Sequence, residues 1–194
     1  MSEAKLDRRT ERTRQALDDA FVKLMFERGY ELLSVADIIE AANVGRSTFY
    51  EHYTGKEELL RQTVTRPFTK LASLVGGTVT VAELVALLEH FLEHGKLTRT
   101  LMNGSTRPLM VRCLAEMMEP RLAALLRRHP GAATPMLPEA MIVTQVAESQ
   151  IALIAQWLTA RACRTEALAE ALQVQTQAIL VTLLRLPAGL PPLP

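Results

Sequence analysis

The chain has only two cysteines, Cys113 and Cys163, far apart and in helical sequence. There is no CxxC pair, which excludes a disulfide framework, and both thiols are expected to be buried in a reducing compartment. No run of 18 apolar residues exists, so no membrane-spanning helix is expected, and the N-terminus lacks the apolar core of a signal peptide. Internal repeats, a glycine-rich phosphate loop and a Gly-x-Ser-x-Gly elbow are all missing. Net charge of one sign is also missing. The 194 residues sum to +1; residues 1–66 hold 11 basic and 12 acidic side chains, and the remainder 11 and 9. Bulk charge therefore gives no support to nucleic-acid binding, and any such argument rests on where the charges lie.

What is present is helical periodicity. Apolar residues make up 48% of the chain, an ordinary globular share for a length of one large or two small domains. Leu17, Ala20, Phe21, Leu24 and Met25 form one stripe of a helix expected over Thr10–Arg28, ended by Gly29. Before it, Lys5, Arg8 and Arg9 lie in residues 1–9, with Arg12 and Arg14 just beyond. Two readings of residues 1–9 stand: a flexible basic arm suited to phosphate contact, or a solvated tail.

Residues 34–56 carry the most information. Ser34 and Asp37 have the spacing of a capping box, and Val35, Ile38, Ile39 and Ala42 follow at helical spacing. Asn43-Val44-Gly45 breaks the helix, because Asn and Gly tolerate left-handed backbone. A second short helix then runs from Arg46 to His52. Two helices joined by a short Gly-containing turn make a helix-turn-helix, whose second helix enters the DNA major groove. Phe49 and Tyr53, four apart, share a face and are expected in the core. Arg46, Ser47 and Thr48 are the candidates for base or nearby phosphate contact, and Tyr50, His52 and Ser34 for phosphate.

At these residues the chain resembles TetR/AcrR-family transcriptional regulators. The resemblance lies in Gly-Tyr at 29–30, Ser34-Val35, Ile38, Ala-Asn-Val-Gly at 42–45, Ser-Thr-Phe-Tyr-x-His-Tyr at 47–53 and Gly-Lys-Glu-Glu-Leu at 55–59. It covers residues 10 to about 66. Gly45 departs from the pattern, which often has a Ser capping the recognition helix. The resemblance implies an all-α fold: a three-helix DNA-binding domain over 10–55 and a larger helical domain over 56–186 that binds a small molecule and dimerises. It also implies a cytoplasmic, nucleoid-associated protein that is no enzyme, needs no cofactor, and uses Lys56 at a phosphate.

In the larger part, helices are expected over Lys56–Val75, Val81–His94, Leu97–Met102, Ser105–Arg128, Glu139–Ala162 and Thr165–Leu186, with Pro67 and Pro120 kinking or interrupting theirs. His129–Pro138 reads as a loop and residues 187–194 as a disordered tail. The last two helices are apolar on more than one face, which points to a homodimer built from four helices; the alternative is a fully buried monomer core. Family likeness puts a small-molecule pocket inside this domain. His94, Met102, Met110, Cys113, Met117, Gln150, Ile154 and Trp157 are its candidate lining, mostly apolar and suited to an apolar or aromatic ligand. The expected function is a DNA-binding repressor released by such a ligand, with a regulator controlled by a protein partner as the alternative; His90, Glu93 and His94 match the H-x-x-E-H zinc-protease pattern, but no further protein ligand is evident, so no metal is assigned and a metal-dependent enzyme is the minor alternative.

Overall fold

The computed structural model describes residues 3–128 and 133–186. The expected tail at 187–194 lies outside them, as do residues 1–2 and four residues of the expected loop, 129–132. Among the described residues every regular element is helical: α1 (Glu3–Arg28), α2 (Val35–Ala42), α3 (Arg46–His52), α4 (Lys56–Ala72), α5 (Val81–Glu93), α6 (Gly95–Asn103), α7 (Arg107–Arg128), α8 (Glu139–Ala160) and α9 (Thr165–Leu183). No helix is long and apolar enough to cross a membrane. The contacts divide the chain into two units, residues 1–64 and 65–194, and the division falls inside α4.

Helix α1 begins at Glu3, not at Thr10, so residues 3–9 are helical where a flexible arm was expected. The cause is local. Residues 3–9 contain no Gly or Pro, and Lys, Leu, Arg and Glu are good helix formers. The other end behaves as expected, with Gly29 in left-handed backbone at φ 78° and its amide donating to the Met25 carbonyl. In this first unit α1 packs on α2 and α2 on α3. Leu17, Phe21, Ile38, Phe49 and Leu59 are fully buried at its centre.

The second unit begins with the remainder of α4. Pro67 lies within an uninterrupted helix, and so does Pro120 in α7, although each was expected to kink or break its helix. A proline removes one backbone rung, and the lost bond is tolerated where packing holds the rest of the helix. Beside Pro120, the Arg121 guanidinium donates to the Met117 carbonyl at 2.6 Å. Helix α4 ends sooner than expected, in a 3-10 turn at Ser73–Gly76 followed by Gly77 at φ 65°. Thr80 then caps α5 through a capping box with Glu83. Thr-x-x-Glu is legible in the sequence, and it explains why α5 starts where it does.

Helices α7 and α8 pack on each other, α9 packs on α8 and α5, and α6 joins α8. Arg107 of α7 pairs with Glu148 of α8 at 2.7 Å. Before α7, the buried Thr106 hydroxyl donates back to the Leu101 carbonyl at 2.8 Å, closing the α6 end in place of capping α7 forward. Gly104 is required there, because a Cβ would lie 2.7 Å from the Thr100 carbonyl oxygen. Helix α8 stops at Arg161, which is left-handed at φ 50°, and the Trp157 indole braces the exit by donating to the Cys163 carbonyl at 2.9 Å. The amides of Thr134 and Met136 donate to the Leu184 and Leu183 carbonyls, satisfying the end of α9.

The core face of α9 is Leu168, Leu172, Thr176, Leu180 and Leu184, at a spacing of four. Ile179 and Leu183, beside that face, are only half-buried. Leu180→Ala should therefore cost about 2–5 kcal/mol in urea unfolding. A loss of about 1 kcal/mol or less would place the neighbouring Ile179 on the core side instead.

Candidate nucleic-acid interface

The candidate interface is built on α3, a helix of seven residues. Phe49 and Tyr53 anchor its inner face, with ring centroids 5.6 Å apart and both side chains buried. The Tyr53 hydroxyl donates to Asp18 of α1 at 3.5 Å, and burial pushes its pKa up to about 12. Burial likewise raises the Asp18 carboxyl. The outer face carries Arg46, Ser47 and Tyr50, all exposed, with Thr48 and His52 half-exposed beside them. The Arg46 guanidinium lies 5.8 Å from the centroid of the Tyr50 ring. Tyr50 is 48% exposed and also meets Phe49 edge-on at 5.3 Å, so its ring is braced on one side while about half of the residue is open to solvent. Glu51 is on the exposed side too, an acidic neighbour that sequence reasoning left out.

Gly45 caps α3 without a side-chain bond. The turn before it is held by Asn43, left-handed at φ 52°, whose amide donates to the Glu40 carbonyl. Ser34 and Asp37 form the full capping box on α2: each side chain accepts from the other's backbone amide, and the Ser34 hydroxyl also donates to the Asp37 carboxylate. Arg28 pairs with the same carboxylate at 3.0 Å.

Two of the expected phosphate contacts therefore have partners inside the unit. Ser34 is engaged by Asp37. Lys56 donates from Nζ to the carbonyls of Tyr30 at 3.1 Å and Leu33 at 2.9 Å, and sits 4.5 Å over the Tyr30 ring. A lysine at the start of α4 opposes the helix dipole. The structure supplies a compensating reason: the ammonium closes the turn between α1 and α2. Tyr30 was noticed in the sequence only as part of a pattern, because a residue 26 positions from Lys56 gives no local signal of contact. Glu58 completes the region, accepting at 2.6 Å from both the amide and hydroxyl of Thr54, which holds its carboxyl below the usual range.

The expected ligand residues divide differently. Met102 on α6, Met110 and Cys113 on α7, and Gln150, Ile154 and Trp157 on α8 are buried, and these three helices pack together. Met117 is half-buried. His94 is exposed, at the C-cap of α5, and so does not share the burial of that group. Gln150 is fully buried and donates to the Thr176 hydroxyl at 2.9 Å, while its Oε1 has no hydrogen-bond donor. A separate groove of about 630 Å³ lies between α4 and α5, with Arg66, Lys70, Glu83 and His90 on its walls.

A braced short helix with an outward row of basic and hydroxyl side chains, set after a tight turn, defines a helix-turn-helix protein. Comparison with known proteins agrees. Residues 19–63 match the model for bacterial regulatory proteins of the tetR family. The structure of a TetR transcriptional regulator from Streptococcus agalactiae is 30% identical, over 89% of this chain and 98% of that one, with a TM-score of 0.59. The HTH-type transcriptional regulator YxbF of Bacillus subtilis is 43% identical over 65 residues, 33% of this chain and 17% of that protein. The dhaKLM operon activator DhaS of Lactococcus lactis is 36% identical over 59 residues, 30% of this chain and 32% of that protein. The matched stretch thus spans a third or less of these two curated relatives. The chain belongs to the TetR family of bacterial transcriptional regulators, which are not enzymes. The minor alternative of a metal-dependent enzyme at His90, Glu93 and His94 is thereby set aside.

Two measurements check the local geometry. Ser34 donates to Asp37 from hydroxyl and amide, with Arg28 alongside, and this holds the Asp37 carboxyl below its ordinary 3.8. The unfolded chain therefore takes up that proton first as the pH falls. The stabilisation is complete above 3.8 and is lost as the pH drops through the lower folded value. Thermal melts of Asp37→Asn and the parent chain should converge as the pH falls from neutral to about 3. Lys56→Ala removes a donor from the Leu33 and Tyr30 carbonyls, of which Tyr30 keeps the Leu33 amide, and should cost about 1 kcal/mol in the melting of this unit. An unchanged melt would return Lys56 to a purely interfacial role.

Proposed function

We propose that the chain is a homodimeric repressor that grips operator DNA with α3 of each copy and is released by a small apolar or aromatic ligand. The observation carrying the DNA reading is the split personality of α3: Phe49 and Tyr53 are locked in the core while Arg46, Ser47 and Tyr50 stand exposed. Arg46, Ser47 and Thr48 meet base edges or the nearest phosphates, and Tyr50 and His52 meet phosphates. Ser34 and Lys56 set the frame that presents them. In domain terms, the DNA-binding part is 10–55, the effector-binding and dimerising part is 56–186, and the protein acts in the cytoplasm on the nucleoid.

The dimer reading is supported by α8 and α9. Met141, Val174 and Val181 are exposed apolar side chains on these helices, and Val174 is 66% exposed. Joined with the half-buried Ile179 and Leu183, they leave apolar surface that a second copy would cover in a two-fold interface. A dimer sets two recognition helices about 34–36 Å apart, one DNA turn, which a single copy cannot do.

Release follows from linkage. A ligand that favours a different separation of the two helices weakens DNA binding by its differential affinity for the two states. Helix α4 runs from one unit into the other and is the route for that coupling. The support for an internal ligand is the packed group on α6, α7 and α8 around Gln150, whose Oε1 has no hydrogen-bond donor. A buried acceptor of this kind calls for a donor from water or from a bound molecule.

Titrating duplex operator DNA in a gel-shift assay at several salt concentrations tests this reading. Tyr50→Phe should weaken binding to every sequence alike. Arg46→Ala should weaken it and relax sequence preference by about 1–3 kcal/mol at one base pair. Val174→Glu should leave a folded single chain in sedimentation analysis and lower DNA affinity sharply. A parent chain that stays single at micromolar concentration and ignores duplex DNA at low salt overturns the proposal.

A further inference from the structure

The cluster at the end of α5 has no part in the regulatory reading. His90 and Glu93 belong to the last turn of α5, and His94 is its C-cap. Their positions, three and four residues apart, put all three side chains on one face. One potential ligand atom from each lies within 4.8 Å of the others. The two imidazoles are 4.7 Å apart, centroid to centroid, with their planes at 67°. All three side chains are exposed, so an ion reaches them without any opening of the core.

We propose that His90, Glu93 and His94 form a surface site for a divalent transition-metal ion of the zinc class. The donor set argues for the metal. Two imidazole nitrogens and one carboxylate oxygen suit Zn²⁺, Ni²⁺ or Cu²⁺, whereas Ca²⁺ and Mg²⁺ favour all-oxygen shells. His94 closes α5 and is also the N-cap of α6, so the two helix ends meet there with opposite partial charges and the donor set carries the argument. Three protein ligands leave coordination open for water or another ligand.

The location gives the site a consequence. His90 also lines the groove between α4 and α5, together with Arg66 and Lys70. Lys70 is paired with Glu83 at 2.5 Å, which limits its repulsion of an ion nearby. A bound ion ties His94 to the last turn of α5 and sets a divalent charge on the rim of that groove. The inference stands apart from DNA binding and from dimerisation, so its failure leaves both untouched.

Titrating the full chain with Zn²⁺ by calorimetry tests it, with circular dichroism confirming that each variant keeps its helix content. The expected result is one ion per chain, and no binding of Ca²⁺ or Mg²⁺ under the same conditions. His90→Ala and His94→Ala should each weaken zinc binding by about tenfold or more. Glu93→Gln should also weaken it. Cys163→Ser should leave it unchanged, because the exposed Cys163 thiol is the rival ligand in the chain. Absence of zinc binding, its survival in the His90→Ala/His94→Ala double variant, or its loss in Cys163→Ser would overturn the proposal.

Discussion

A helix of seven residues has no stability of its own in water, because the cost of starting a helix exceeds what a single turn or two returns. The candidate DNA-reading element is such a helix. It exists because Phe49 and Tyr53 are buried against the rest of its unit and because the chain on either side is closed by caps. Asn43 supplies the left-handed exit from α2, and the Phe49 amide takes up the Gly45 carbonyl to start α3. Everything that α3 presents outward depends on those inward contacts. Arg46 and Tyr50 have defined directions only because the opposite face cannot turn.

The same constraint explains why several polar residues near α3 are bonded within their own unit. Short helices leave a large share of their backbone groups without intrahelical partners. Ser34, Asp37, Lys56 and Glu58 supply those partners, each bonding backbone amides or carbonyls at a helix end or turn. The unit thus sorts its polar side chains by task. Those at turns satisfy the backbone, and those on the outer face of α3 remain available. Net charge says nothing about this sorting, which is why a first unit with no basic surplus can still present a basic residue where it counts.

The larger unit solves a different problem. Its helices are long enough to persist, and their difficulty is apolar surplus. Helices α8 and α9 bury one face against each other and against α5, α6 and α7, yet still expose Met141, Val174 and Val181. Inside, the fully buried polar pair of Gln150 with Thr176 is incompletely satisfied. An apolar surface outside and buried amide acceptors without a donor, Gln150 Oε1 and Gln175 Oε1, are places where this unit is unfinished as a single chain.

Much of this was legible in residue order. The capping box at Ser34 and Asp37, the Asn43–Gly45 break, the burial of Phe49 and Tyr53 and the nine helices among the described residues all follow from signals within a turn or two, where spacing alone decides which side chains meet. The continuity of α4 and α7 through Pro67 and Pro120 did not follow. There, the outcome depends on how strongly neighbours hold the helix, and local propensity does not record that. The role of Lys56 is the clearest case. Residue order showed an ammonium opposed to a helix dipole, and only the fold brought Tyr30 and Leu33 to it. Thus the sequence by itself determined the helical elements, their caps and the outward row on α3, since these depend on contacts between near neighbours. The tertiary structure alone decided which polar groups are engaged at turns and which remain open, since that requires residues distant in the chain to meet.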